Sequence, residues 1–191
     1  VALSAAGPGT WFVLTALLLG KPLGIGILSA ALKKGVLSAQ GYAQMVDTAT
    51  LLNTAGPRLA ALTDVHAMTD VTGFGIAGHL LEMCRGAGLS ARLDFNRLPV
   101  LSEALHWVQQ GTATGASGRN WAGYGKDVQL PADFPEWQRK LITDPQTSGG
   151  LLVACAPAAV EQVLGILREE GCAEAAVVGE FPAGPARLTV A

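Results

Sequence analysis

A carboxylate and two hydroxyls stand just ahead of two glycines in His66-Ala67-Met68-Thr69-Asp70-Val71-Thr72-Gly73-Phe74-Gly75. The residues that follow, Ile76 to Arg85, place Ile76, Leu80 and Met83 or Cys84 on one helical face. A helix start presents free N–H groups and the positive end of its dipole, which favours phosphate. A carboxylate beside phosphate usually implies a bridging Mg2+, because hard cations take oxygen ligands. Asp70, Thr72 and Gly73 are therefore candidates for holding metal and phosphate. The simpler reading of these residues is an N-cap made by Asp70 or Thr72.

Two further segments carry polar chemistry. In Thr143-Asp144-Pro145-Gln146-Thr147-Ser148-Gly149-Gly150, the run Thr147, Ser148, Gly149 and Gly150 offers consecutive N–H and O–H donors to one anion. The alternative is a tight loop that needs glycine for positive φ. In Gly115-Ala116-Ser117-Gly118-Arg119-Asn120, Arg119 can clamp phosphate with two prongs, with Asn120 beside it. The alternative there is a solvated surface arginine. His66, His79 and His106 lack metal-ligand spacing and read as structural. Cys84 and Cys155 read as core. The chain has no Walker loop, G-x-S-x-G elbow or G-x-G-x-x-G fingerprint.

The elements that must position these residues follow from periodicity. Residues 1–9 read as a loop, and 11–19 as a buried strand ended by Lys21-Pro22. Gly24 to Lys34 is an expected helix, with Ile25, Leu28 and Leu32 on one face. A second helix runs from Ala39 to about Asn53, with Tyr42, Met45, Val46, Ala49 and Leu52 at helical spacing. A short helix at Arg58 to Leu62 precedes Val65–Thr69. Gly86 and Gly88 stop the helix after Gly75. Residues 90–95 alternate as a half-buried strand. Leu101 to Gln110 is helical. The five glycines and two prolines of 111–135 predict a long polar loop, and 136–142 a helical turn. A strand at 151–155 leads to a helix from Pro157 to about Glu170. Strands at 175–181 and 186–190 are expected to form a hairpin across Pro182-Ala183-Gly184-Pro185. The class is α+β, a mixed β-sheet packed with helices.

The chain has 191 residues, 50% of them hydrophobic and 15% charged, with 24 glycines and a formal charge of −2. At this size a core forms without disulfides. No basic field exists to recruit nucleic acid by counterion release. The apolar run at 11–19 is too short to span a membrane. Three cysteines without paired spacing suit a reducing cytoplasm. The chain opens on Val1 rather than Met, which hints at a processed or truncated product.

These segments, in this order, resemble the carboxy-terminal half of selenophosphate synthetase (selenide, water dikinase). The stretches that carry the resemblance are KPLGIGIL (21–28), AMTDVTGFGIAGHLLEMCRGAGL (67–89), GRNWAGYG (118–125), DPQTSGGLLVA (144–154) and VVGEF (177–181). The family is similar to a wider group that includes aminoimidazole ribotide synthetase, thiamine-monophosphate kinase and a hydrogenase maturation protein. The resemblance implies the carboxy-terminal fold of that group over 21–191, with 1–20 an extension and first strand. It implies a reaction that turns ATP, selenide and water into selenophosphate, AMP and phosphate, with Mg2+ required. It implies a partner, the amino-terminal ATP-binding half, which carries the reactive cysteine or selenocysteine, the essential lysine and most metal-binding aspartates. Asp70 matches the one metal-binding aspartate contributed by the carboxy-terminal half. A cytoplasmic homodimer is expected for the whole enzyme. An inactive monomer is expected for this chain alone, without nucleic-acid or membrane partners. Gly20 stands where the family usually has threonine, and the run before it, VLTALLL, also differs. Ser117-Gly118 stands where the family commonly has Thr-Glu. The competing readings are a non-catalytic packing or binding module and a related ATP-dependent enzyme with another acceptor.

Overall fold

The computed structural model describes residues 15–191. The expected loop at 1–9 and the first part of the expected strand, 11–14, lie outside the described residues. In chain order the elements are β1 (Thr15–Leu19), α1 (Ile25–Lys33), α2 (Ala39–Thr50), α3 (Gly56–Ala60), β2 (Val65–Asp70), α4 (Gly75–Ala87) and β3 (Ala91–Leu93). They continue with α5 (Ser102–Gln109), α6 (Gly115–Tyr124), β4 (Val128–Gln129), α7 (Glu136–Ile142), β5 (Leu151–Cys155), α8 (Val160–Glu169), β6 (Ala176–Phe181) and β7 (Leu188–Val190).

The strands form one sheet in the order β2-β5-β1-β6-β3-β7-β4. β1 runs antiparallel to β5 and β6, β2 to β5, and β3 to β6, while β7 is parallel to β3 and β4. This is the mixed, helix-packed sheet expected from the sequence. β1 reads as an unbroken apolar run because both of its faces are covered. Leu17 and Leu19 join Ile27, Leu28, Ile76, Leu80 and Leu152 in one core. Leu18 joins Val153, Val163 and Leu167 in the other.

Three expectations fail: the loop at 111–135, the β6–β7 hairpin and the stop at Gly86. The long polar loop at 111–135 instead contains α6, a 3-10 turn and β4. Each glycine costs a helix about 1 kcal/mol. Here Thr114 caps the first turn by accepting from the Ser117 amide at 3.2 Å. Trp121 and Tyr124 then pack on the core. The expected β6–β7 hairpin does not form, because β3 lies between the two strands. Gly179 lets β3 approach that closely: a Cβ there would run into the Arg92 carbonyl. The proline spacer instead arches over Ser90, which donates from its amide to the Pro182 carbonyl and from Oγ to the Pro185 carbonyl.

The apolar faces of α1 and α2 are only partly buried. Leu32 is exposed, as are Tyr42 (49%) and Val46 on α2, which packs on α1, and Leu52 (68%) just past its end. Finally, Gly86 lies inside α4, and the helix stops at Gly88, whose φ of 66° is left-handed.

Candidate functional site

Asp70 is the last residue of β2, an edge strand, and it is exposed. The next residue, Val71, is fully buried and donates its N–H to the Gly150 carbonyl at 3.0 Å. The chain then turns through Thr72, Gly73 and Phe74 into α4, and the Gly75 amide donates to the Thr72 carbonyl at 3.1 Å. Gly75 has φ 68°, and a Cβ on it would lie 2.8 Å from the Thr143 carbonyl carbon, so only glycine fits. Phe74 occupies the N-cap position of α4 without a side-chain bond. The N-cap reading of Asp70 and Thr72 therefore fails.

The Asp144–Gly150 segment packs beside this turn. Gln146 donates its amide to the Thr72 carbonyl at 3.0 Å. The side chains of Asp144 and Gln146 are buried at the start of α1. Gln146 Oε1 accepts from the Gly24 and Ile25 amides, each at 3.1 Å, and Asp144 Oδ2 accepts from the Ile27 amide at 3.2 Å. Gln146 Nε2 donates to Asp144 Oδ2 at 3.0 Å. Burial pushes the Asp144 carboxyl up to about 7, against the pull of the Ile27 and Gln146 donors. Its Oδ1 is buried without a hydrogen-bond partner.

Thr147 and Ser148 are exposed, while Gly149 and Gly150 are buried. Ser148 has φ 53°. A Cβ on Gly149 would run into the Val71 carbonyl, and one on Gly150 into the Lys21 backbone. These two glycines permit close packing. The backbone of the loop is held from within the fold. Lys21 is 1% exposed and donates from Nζ to the carbonyls of Leu51 (2.8 Å), Thr48 (3.4 Å) and Ser148. Desolvation lowers its pKa. Asn53 Nδ2 donates to the Gly149 carbonyl at 2.9 Å.

Helix α6 closes the third side. Asn120 Nδ2 donates to the carbonyls of Gly73 (2.8 Å) and Thr143 (3.0 Å), so it straps the two motifs together. Tyr124 donates its hydroxyl to the Phe74 carbonyl at 2.6 Å, and burial raises its pKa, which keeps it a donor. Arg119 is exposed on α6, not in a flexible loop. Among the described residues no hydrogen bond or ion pair joins it to Asp70, Thr72 or Ser148.

The structure thus brings together Asp70, Thr72, Gly73, Asn120, Thr147, Ser148, Gly149 and Gly150, with Arg119 exposed on α6 beside Asn120. Lys21, Asn53, Tyr124, Asp144 and Gln146 were not among the expected site residues. Lys21 stands at the end of an apolar strand and opens the KPLGIGIL stretch, which are the sequence signals for it. No group of three or more His, Cys, Asp or Glu gathers among the described residues. An exposed carboxylate such as Asp70 is of the oxygen-donor type that hard cations take, though such cations need six or more ligands.

A mixed sheet with this edge carboxylate and paired loop cluster defines a class. The family model described as AIR synthase related protein, C-terminal domain, matches residues 7–190, and the chain belongs to that family. Within it, the chain is 60% identical over 175 residues to the selenide, water dikinase of Burkholderia orbicola (strain MC0-3), covering 92% of this chain and 49% of that protein. The chain spans about half the length of the curated relatives it matches. Among solved structures, hydrogenase maturation protein HypE in complex with ATP superposes with a TM-score of 0.62 at 18% identity, over 97% of this chain and 48% of that one. Thiamine-monophosphate kinase from Stenotrophomonas maltophilia K279a gives 0.60 at 14%, over 92% and 49%. At those identities the likeness is one of fold.

Proposed function

We propose that this chain is the carboxy-terminal half of a selenide, water dikinase, which makes selenophosphate, AMP and phosphate from ATP, selenide and water. The observation that carries the reading is Asp70, an exposed carboxylate at the rim of a turn fixed by Gln146, Asn120 and Tyr124. The identity to relatives of that name supports the chemistry.

Asp70 would hold Mg2+ as one of its oxygen ligands. When bound, Mg2+ would supply charge neutralisation on the ATP phosphates. Gly73, Thr147 and Ser148 offer hydroxyl and amide donors to phosphate, and Thr72 borders the nucleotide through its hydroxyl oxygen. Gly149 and Gly150 let the loop sit tightly against Val71 and Lys21. Arg119 and Asn120 border the site from α6, Asn120 through its bonds to both motifs. The reactive nucleophile comes from the other half, so this chain alone is inactive, and the whole enzyme is a homodimer.

The test is turnover. The isolated chain is expected to show no selenide-dependent ATP breakdown, and a protein that also carries the amino-terminal half is expected to form AMP. Turnover by the isolated chain contradicts the division of labour. ADP formation with a different acceptor assigns the chain to another enzyme of the group.

A further inference from the structure

We propose that His79 is a positioning residue for the turn that carries Thr72 and Gly73, acting as a neutral imidazole with its proton on Nδ1. His79 sits in the second turn of α4 and is 6% exposed. The Thr72 backbone N–H donates to His79 Nε2 at 3.0 Å. A backbone amide can only donate, so Nε2 must be the nitrogen without a proton. The proton then belongs on Nδ1, which faces Glu82 Oε2 at 2.9 Å. The contact is close, although Nδ1 has no hydrogen-bond partner among the described residues. Glu82 itself is half exposed. Phe74 stands beside the imidazole, with ring centroids 5.9 Å apart and planes tilted by 49°.

The arrangement leaves the Thr72 side chain with a defined role. Its Oγ1 also lies 3.1 Å from Nε2. The hydroxyl therefore shares the imidazole lone pair with its own amide, and its oxygen lone pairs are left for a ligand. His79 thus sets both the path of the backbone after Asp70 and the rotation of the Thr72 side chain. The functional half of this inference rests on the reading of Asp70 given above. The structural half does not.

The structural half is tested by NMR on the 15N-labelled chain. Expected are an unprotonated Nε2 shift for His79 and a scalar coupling across the N–H···N bond to the Thr72 amide nitrogen. A proton on Nε2, or no such coupling, overturns the proposal. The functional half is tested in the whole enzyme with His79→Leu, which removes the acceptor, and His79→Gln, which keeps one at similar reach. Residues that orient a metal-binding shell typically cost roughly 10- to 100-fold when lost. A fall of that size in kcat/KM for ATP is expected for His79→Leu, largely recovered in His79→Gln. Unchanged kcat/KM in His79→Leu overturns the positioning role. Full activity in Asp70→Asn, with the coupling intact, removes the metal reading and leaves the His79–Thr72 bond standing.

Discussion

Gln146 donates its amide to the Thr72 carbonyl at 3.0 Å, which joins two motifs far apart in the chain into one loop cluster. The same residue caps α1 with its side chain. The cluster is therefore anchored at once to the turn after β2 and to the first helix. Its exposed parts, Asp70, Thr147 and Ser148, rest on a buried polar frame.

Asn120 is the second joint. Its amide group bridges the Gly73 and Thr143 carbonyls. Asn120→Ala removes both bonds, and each net hydrogen bond is worth about 1 kcal/mol. A loss of about 2 kcal/mol in unfolding free energy is expected, measured by chemical denaturation. An effect within 0.5 kcal/mol of zero, the ordinary range for surface changes, would show that the strap carries no load.

Lys21 is the third. Its ammonium satisfies the carbonyls of Leu51, Thr48 and Ser148, and no carboxylate partners it among the described residues. Lys21→Met leaves those buried acceptors without a donor. Unsatisfied buried groups cost roughly 1–3 kcal/mol each, so the variant should lose about 3 kcal/mol or more. Replacing a buried charge by an apolar side chain is sometimes neutral. A Lys21→Met protein as stable as the parent would place this lysine in that class.

Asp144 makes stability depend on pH. Its folded pKa, about 7, lies above the ordinary carboxyl value of 3.8, so folding favours the protonated form. That stabilisation is complete below 3.8 and is lost as pH rises through about 7. A shift of this size corresponds to at most about 4 kcal/mol. In Asp144→Asn the loss of stability between pH 4 and pH 7.5 should be markedly smaller than in the parent, read by denaturation at a series of pH values. Parallel profiles for the two proteins would exclude Asp144 as its source.

Much of this was legible in the sequence, and the physical reasons for the rest differ by position. Strands β1 and β5 announced themselves as apolar runs, because a strand covered on both faces needs no alternation. Asp70, Thr72 and Gly73 stood out as candidates because a carboxylate, a hydroxyl and glycines at a helix start have a chemistry of their own. Helix α6 was hidden by its glycines. What makes it a helix is the Thr114 cap and the packing of Trp121 and Tyr124, which local propensity does not encode. The order β6-β3-β7 was hidden too. It depends on Gly179 clearing space for β3, a contact between distant parts of the chain. Lys21 and Asp144 looked like ordinary charges, since burial of a polar side chain becomes visible only once its partners are placed.

The central claim is that Asp70 supplies a divalent cation to a nucleotide held mainly by the other half. The most direct measurement is the Mg2+ dependence of selenide-driven AMP formation by the whole enzyme carrying Asp70→Asn, beside a folding control by circular dichroism. The account predicts native folding with a rate lowered by orders of magnitude and a raised Mg2+ requirement. A correctly folded Asp70→Asn enzyme with the parent's rate and the parent's Mg2+ dependence would contradict it.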